Sequence, residues 1–293
     1  MSGADQNYHA IELPDGRQLS YAEFGARHGK PVIHNNGSGG SRLEWPGDQV
    51  MLEEIGVRFI GIDRPGHGHS DPHPNRKLLD WPKDVAALAD HLGIHQFYVE
   101  GWSAGGAYAL ACAHALTDRV LAGATLSGIG PYDRPDPLFG LDDPIKTWMD
   151  NARNKPVEVY PFREMMANAL SSQSAAQIGA MLAAGSGEDD KAIALRPDLQ
   201  LVMGSNIKEG YRQGHVGPAD DDVVINSPWG FSLQDIKVRI DVWQGEVDQN
   251  VPLVQGEYQH SILPNSKLYV LKNTAHLFPL LRWKEILSEL IRP

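Results

Sequence analysis

The chain has 293 residues, 42% of them hydrophobic and 22% charged, a balance shown by folded domains with a large core and not by disordered chains. Its formal net charge of −11, from 26 basic and 37 acidic residues, disfavours nucleic acid and anionic membrane as partners. No apolar run is long enough to span a bilayer, Met1 to Tyr8 lacks a signal-peptide core, and one cysteine, Cys112, excludes an internal disulfide framework; a cytoplasmic location is expected.

Residues 8–13 and 17–24 flank Pro14-Asp15-Gly16, a hairpin turn signal. A strand is expected near Pro31 to His34, a helix over 46–55, and a buried strand over Val57 to Ile62. Turn-rich chain then runs to Pro74. Val85, Leu88 and Leu92 fall at helical spacing within a helix over 80–92. Ile94 to Glu100, rich in aromatic and β-branched residues, reads as a strand, and Gly106 to Leu116 as a helix containing a buried Cys112. Between them stands Gly101-Trp102-Ser103-Ala104-Gly105, which matches G-x-S-x-G, the sharp strand-to-helix turn that presents a serine hydroxyl at a sheet edge. Val120 to Leu126 is another apolar strand.

The alternation then breaks, and residues 131–232 read as an insertion between two parts of a core, 1–130 and 233–293. It opens on a proline-rich stretch from Pro131 to Pro144, where Asp143-Pro144 resembles a helix N-cap followed by proline at the first helical position. Helical patterns pass through Met165-Met166, Ile178, Met181-Leu182 and Leu199 to Val202. Gly185 to Lys191 reads as a polar loop. Five of the seven methionines lie in this insertion, where they could line an adaptable apolar pocket or simply fill a helix core. Strand–helix alternation resumes with Val238 to Trp243, a helix over 252–261, Lys267 to Leu271 and a last helix over 280–291. Such alternation implies a mainly parallel sheet covered on both faces, with ligands at the carboxyl ends of its strands.

A serine hydroxyl is a weak nucleophile at neutral pH and needs a base, usually a histidine oriented by a carboxylate. Gln244 to Pro252 follows one late strand and Lys272 to Phe278 follows the next. Each places a candidate just past a strand end, on the edge that carries Ser103. His276 is the base expected there and Asp248 the acid, with Glu246, two residues earlier, as the rival.

Together, Gly101 to Gly106, Asp63-Arg64-Pro65-Gly66-His67-Gly68-His69-Ser70, Gly245 to Pro252 and the loop of His276 make the chain resemble the α/β-hydrolase family over nearly its whole length. The resemblance implies an α/β fold with a mostly parallel eight-stranded sheet flanked by helices, and a helical cap inserted over the site. It also implies a cofactor-free mechanism through an acyl-enzyme on Ser103. In the family the segment matched by Asp63 to Ser70 is mainly structural, which makes His67 and His69 poor bases. They are poor metal ligands too, having no accompanying ligand set; no metal is expected. An oxyanion hole is expected from the backbone N–H groups of Ala104 and of Ser38. The second follows from aligning Asn36-Gly37 with the His-Gly that family members usually carry, a departure that alters the loop.

A serine in the elbow argues against the dehalogenase and epoxide-hydrolase branches, which use aspartate there. The resemblance therefore favours a hydrolase of carboxylic esters, with a small-molecule ester as partner; the oligomeric state is not legible. The alternatives are hydrolysis of a carbon–carbon bond in a vinylogous diketone and a non-catalytic ligand receptor on the same fold. If the insertion closes over Ser103, then Trp102, Trp148, Phe162, Met165 and Met181, with Leu170, are candidates to line the pocket, and substrates should be small to medium and apolar.

Overall fold

The structure, a computed structural model, describes residues 8–132 and 143–292. Eight strands form one sheet: β1 (His9–Glu12), β2 (Gln18–Gly25), β3 (Lys30–Asn35), β4 (Val57–Ile62), β5 (Phe97–Trp102), β6 (Val120–Leu126), β7 (Arg239–Gly245) and β8 (Ser266–Leu271). Their spatial order is β1-β2-β4-β3-β5-β6-β7-β8. The hairpin of β1 and β2 and the β2–β4 pairing are antiparallel; every other pairing is parallel. β5 begins three residues later than expected, because Ile94 turns back to donate its N–H to the Ala89 carbonyl and packs into the core.

Strand side chains alternate between two apolar layers, as period-two geometry requires. Ile33, Ile60, Val99 and Val242 face one layer with Val85 and Leu88 of α2 (Trp81–His91) and the small face of α3 (Gly105–Ala115), while α10 (Leu253–Ile262) lies along its edge. Val32, Phe59, Tyr98 and Trp243 face the other with α1 (Gln49–Glu54) and α11 (Pro279–Leu290), where Trp283, Ile286 and Leu287 are buried. Cys112 lies in α3, fully buried, and desolvation pushes its thiol far above the ordinary value.

Between β6 and β7 the described chain is helical: α4 (Asp143–Asn154), α5 (Val159–Ser171), α6 (Ala175–Gly185), α7 (Glu188–Ala194), α8 (Pro197–Gly210) and α9 (Val216–Asn226). Most of the proline-rich stretch, 133–142, lies outside the described residues. The expected loop over 185–191 is corrected: it contains the start of α7, whose first turn carries Glu188, Asp189 and Asp190. Carboxylates there face the positive end of the helix dipole, so a cluster that looks like a solvated loop starts a helix. This segment is seated on the core at two places. Val224, Ile225 and Trp229, at and just beyond the end of α9, join the layer of α2 and α3, while Ala183 and Ala194 join the layer of α11.

Candidate active site

Ser103 sits between the end of β5 and the start of α3 with φ of +55°, a left-handed conformation that costs a non-glycine residue strain and that elbow geometry imposes. Its N–H donates to the Leu126 carbonyl on neighbouring β6, and its carbonyl accepts from Gly106 and Ile129. The glycines around it permit this packing. A Cβ on Gly105 would lie 1.9 Å from the Asn35 carbonyl oxygen, and one on Gly101 would lie 2.1 Å from the Gly105 carbonyl oxygen. Helix, strand and neighbouring loop are in backbone contact, as only glycine allows.

The loops past β7 and β8 bring the two other expected residues together. His276 Nδ1 lies 2.8 Å from Asp248 Oδ2, both residues buried. A carboxylate only accepts, so Nδ1 carries the proton and Nε2 is the basic nitrogen. The other Asp248 oxygen accepts from the N–H groups of Asn250 and Val251, at 2.9 Å each, which fixes the carboxylate plane. Glu246 points elsewhere: it is exposed and accepts from the Asn273 N–H. Burial would raise the Asp248 carboxyl, but the charge and hydrogen bond of His276 outweigh it and hold it below the ordinary range. Burial would lower the His276 imidazole. The charge and hydrogen bond of Asp248, and then the charges of Asp190 and Glu44, outweigh it and raise the group above its ordinary value.

His276 stands against the end of β5, the strand that leads into Ser103. The Trp102 ring lies 5.8 Å from its ring, and the indole N–H donates to the His276 carbonyl at 3.2 Å. Trp102 thus braces the histidine loop. Among the described residues the Ser103 hydroxyl makes no hydrogen bond.

The loop after β3 is held by buried charge. The Glu44 carboxylate accepts from the Gly37 N–H at 2.8 Å, from Asn206 Nδ2 at 2.8 Å and from His34 Nε2 at 3.1 Å. On its other side His34 meets Glu100, three residues before Ser103. Burial opposes a charge on His34, yet the two carboxylates raise it to about 9, so it is an imidazolium at neutral pH. Arg64 donates to the carbonyls of Asn36 and Gly37 and pairs with Asp221 of α9 at 2.6 Å. These bonds occupy Gly37. A Cβ on Gly37 would lie 3.7 Å from the Ser103 Cβ, so the loop passes close beside Ser103. Among the described residues neither the Ser38 nor the Ala104 N–H donates to any acceptor, which is the condition an oxyanion hole must meet. The Ser38 hydroxyl accepts from Arg163 of α5, whose guanidinium also takes Asp222 and the Tyr211 hydroxyl.

His67 and His69 lie away from the elbow. His67 is buried beside Asp221, Arg64 and Arg76, and desolvation lowers it to about 4. Their segment works structurally: Asp63 accepts from Ser20 Oγ and from the N–H and guanidinium of Arg42.

The expected pocket residues do not gather. Phe162, Met165 and Met181 are 42%, 60% and 47% exposed. Trp148 packs at a tilt against Phe162 with Arg163 over its ring, and Trp102 supports His276. A groove of about 1400 Å³ opens instead between α5, α8 and the loop before α1, lined by Phe24, Trp45, Leu170, Val202 and Tyr211 among others. Ser103, Trp102, Trp148, Phe162, Met165 and Met181 do not line it; of the candidates only Leu170 does. Sequence reading missed Glu44, Arg163 and Asp190, whose local patterns do not separate them from surface charges.

A family profile described as the alpha/beta hydrolase fold matches residues 30–282, most of the chain. The chain belongs to the alpha/beta hydrolase family. The chain is 28% identical, over 275 residues, to a non-heme haloperoxidase of Rhodococcus erythropolis, covering 91% of this chain and 92% of that one. It is 33% identical over 123 residues to a non-heme chloroperoxidase of Streptomyces lividans, 41% of this chain and 45% of that protein. The hydrolase fold is shared with a solved esterase from Rhodococcus sp. ECU1013, at TM-score 0.67 and 20% identity over 97% of this chain and 98% of the other. A meta-cleavage product hydrolase from Pseudomonas fluorescens IP01 superposes with TM-score 0.67 at 18% identity, covering 97% of both chains.

Proposed function

We propose that this alpha/beta hydrolase is a serine esterase, with Ser103 as nucleophile, His276 as base, Asp248 as the acid that orients it, and the Ser38 and Ala104 N–H groups as the oxyanion hole. The carrying observation is the buried 2.8 Å contact of His276 with Asp248 at the sheet edge that also holds Ser103 in its strained elbow.

In this reading His276 Nε2 takes the Ser103 proton as Oγ attacks the ester carbonyl. Asp248 stabilises the imidazolium so formed, and the two N–H groups hold the negative oxygen. The imidazolium then protonates the leaving alcohol. Water, activated by the same histidine, releases the acid from the acyl-enzyme. The helices between β6 and β7 serve as the cap. Glu209 of α8 pairs with Arg42 and Arg163 of α5 donates to the Ser38 hydroxyl, contacts that favour a closed site for small to medium apolar esters.

Turnover of a panel of short-chain p-nitrophenyl esters tests this, together with labelling of Ser103 by a fluorophosphonate read by mass spectrometry. Ester turnover with label on Ser103 is expected. Absence of both removes the esterase reading, and turnover of a vinylogous diketone in preference to the esters replaces it with carbon–carbon hydrolysis.

A further inference from the structure

The cap reaches the His276 loop through a carboxylate. Asp190, third residue of α7 and buried, accepts from two successive backbone N–H groups: His276 at 3.0 Å on Oδ2 and Leu277 at 2.8 Å on Oδ1. Neither N–H has another acceptor among the described residues. Two adjacent amides need two acceptor oxygens at a fixed spacing, which a carboxylate supplies and an amide side chain only half supplies.

The apolar surroundings point the same way. Ala194 of α7 and Ala183 of α6 lie in one buried cluster with Trp102, Leu277 and Phe278, and Ile193 and Met203 pack against it. This part of the cap is therefore docked on the histidine loop, with Asp190 as the polar contact inside an apolar seam. His276 is then held at three points by three parts of the molecule. Asp190 takes its N–H, Trp102 donates to its carbonyl, and Asp248 takes its Nδ1. Nε2 is the one polar atom of the residue left for chemistry.

We propose that Asp190 is a positioning residue for the base: the cap, through this carboxylate, sets the backbone of His276 and so aligns its imidazole for proton transfer with Ser103. The proposal rests on the esterase reading above. It makes a seated cap a condition for turnover, since lifting α7 strips both N–H groups of their acceptor. The three carboxylates facing His276 are Asp248 in its own contact, Asp190 from α7 and Glu44 from the loop after β3.

The test uses the full chain with Asp190→Asn and Asp190→Ala. Misplacing a reacting group by about 1 Å costs roughly 100-fold, so Asp190→Ala should lower kcat by roughly 10- to 100-fold with little change in KM. Asp190→Asn keeps the shape and one acceptor oxygen but loses the charge. It should lower kcat less and move the acid limb of the pH–rate profile to lower pH, because one of three anions stabilising the imidazolium is gone. A role confined to stability would lower the melting temperature of both variants while leaving kcat per folded molecule and the acid limb unchanged; that result overturns the proposal. If Asp190→Ala does not fold, Asp190→Asn decides alone on the same two readouts. Nuclear magnetic resonance titration of the His276 ring, in wild type and in Asp190→Asn, needs no substrate. Should the wild type show neither ester turnover nor labelling, the esterase reading fails, and an unshifted His276 titration in Asp190→Asn would still refute the role of Asp190 separately.

Discussion

At the scale of single residues, reactivity here is a matter of which groups share a proton and at what pH. Replacing Ser103 by alanine should reduce ester turnover by roughly 10⁴-fold or more and leave the fold unchanged, read as kcat beside a circular-dichroism melt. Asp248→Asn should lower kcat by a similar order with a small effect on KM, because the lost charge acts mainly when the imidazolium forms. Since His276 is raised above the ordinary histidine value, the base is protonated further up the pH scale than a free imidazole. Activity should therefore rise with pH through a midpoint above about 6.5. A midpoint below that value would show that burial, not the three carboxylates, governs the group. His34 is a separate case. With Glu44 and Glu100 on either side, His34→Gln leaves two buried carboxylates without their cation, which should cost about 3–5 kcal/mol in urea unfolding. Because the folded value of about 9 lies above the unfolded 6.5, the stability from His34 is complete below pH 6.5 and fades as pH rises to 9.

Among elements, the decisive connections run between the helices inserted between β6 and β7 and the loops of the sheet. Asp221 on α9 takes Arg64 at 2.6 Å, Arg76 at 2.7 Å and the Tyr108 hydroxyl at 2.7 Å, so one carboxylate ties α9 to α3 and to two loops. Burial opposes its ionisation, but Arg64, His67 and Arg76 hold its carboxyl far below the usual range. Asp221→Asn should destabilise the protein by about 3–5 kcal/mol near neutral pH, measured by denaturant unfolding. The sign follows from the depressed folded value: the contribution is present above the unfolded value of 3.8 and is lost as pH falls below it, so wild type and variant should converge in acid. The same pairing fixes Arg64 against the Asn36 and Gly37 carbonyls, so the variant should also lose kcat through the oxyanion loop. No element shows the limits of local reading better than α7. Its Glu-Asp-Asp start is polar and follows Ser-Gly, both loop-like, yet the dipole of the helix and the amides of a distant loop give those charges partners.

For the whole molecule, the two apolar layers enclose the sheet, and residues of the helices between β6 and β7 join both. The exposure of Met165 and Met181 separates them from any closed pocket. Replacing either with alanine should change stability by no more than about 0.5 kcal/mol and leave ester chain-length preference unaltered, a result read from melts and the p-nitrophenyl panel. Preference should respond instead to residues around the nucleophile. Among the described residues no helix is long and apolar enough to cross a membrane.

By itself the sequence determined the strand–helix order, the elbow at Ser103 and the two late loops that carry His276 and its carboxylate, because each is encoded locally. Apolar periodicity marks buried faces, glycines mark the close approach of β5 and α3, and loops just past parallel strands must share one edge. Whether Asp248 or Glu246 meets His276 was not encoded that way. Both stand in one short loop, and only the folded loop turns the first inward to the imidazole and leaves the second exposed beside Asn273. Tertiary structure alone decided the partners of Glu44, Arg163, Asp221 and Asp190. A buried charge is recognisable only by the opposite charge or the amide that meets it, and here those partners are far away in the chain: 86 residues separate Asp190 from His276, and 157 separate Arg64 from Asp221. The lining of the site was misjudged for the same physical reason. Hydrophobic residues of a cap helix can face the core, the groove or water, and which they face is set by how the helices pack on one another, a long-range outcome that no local pattern carries.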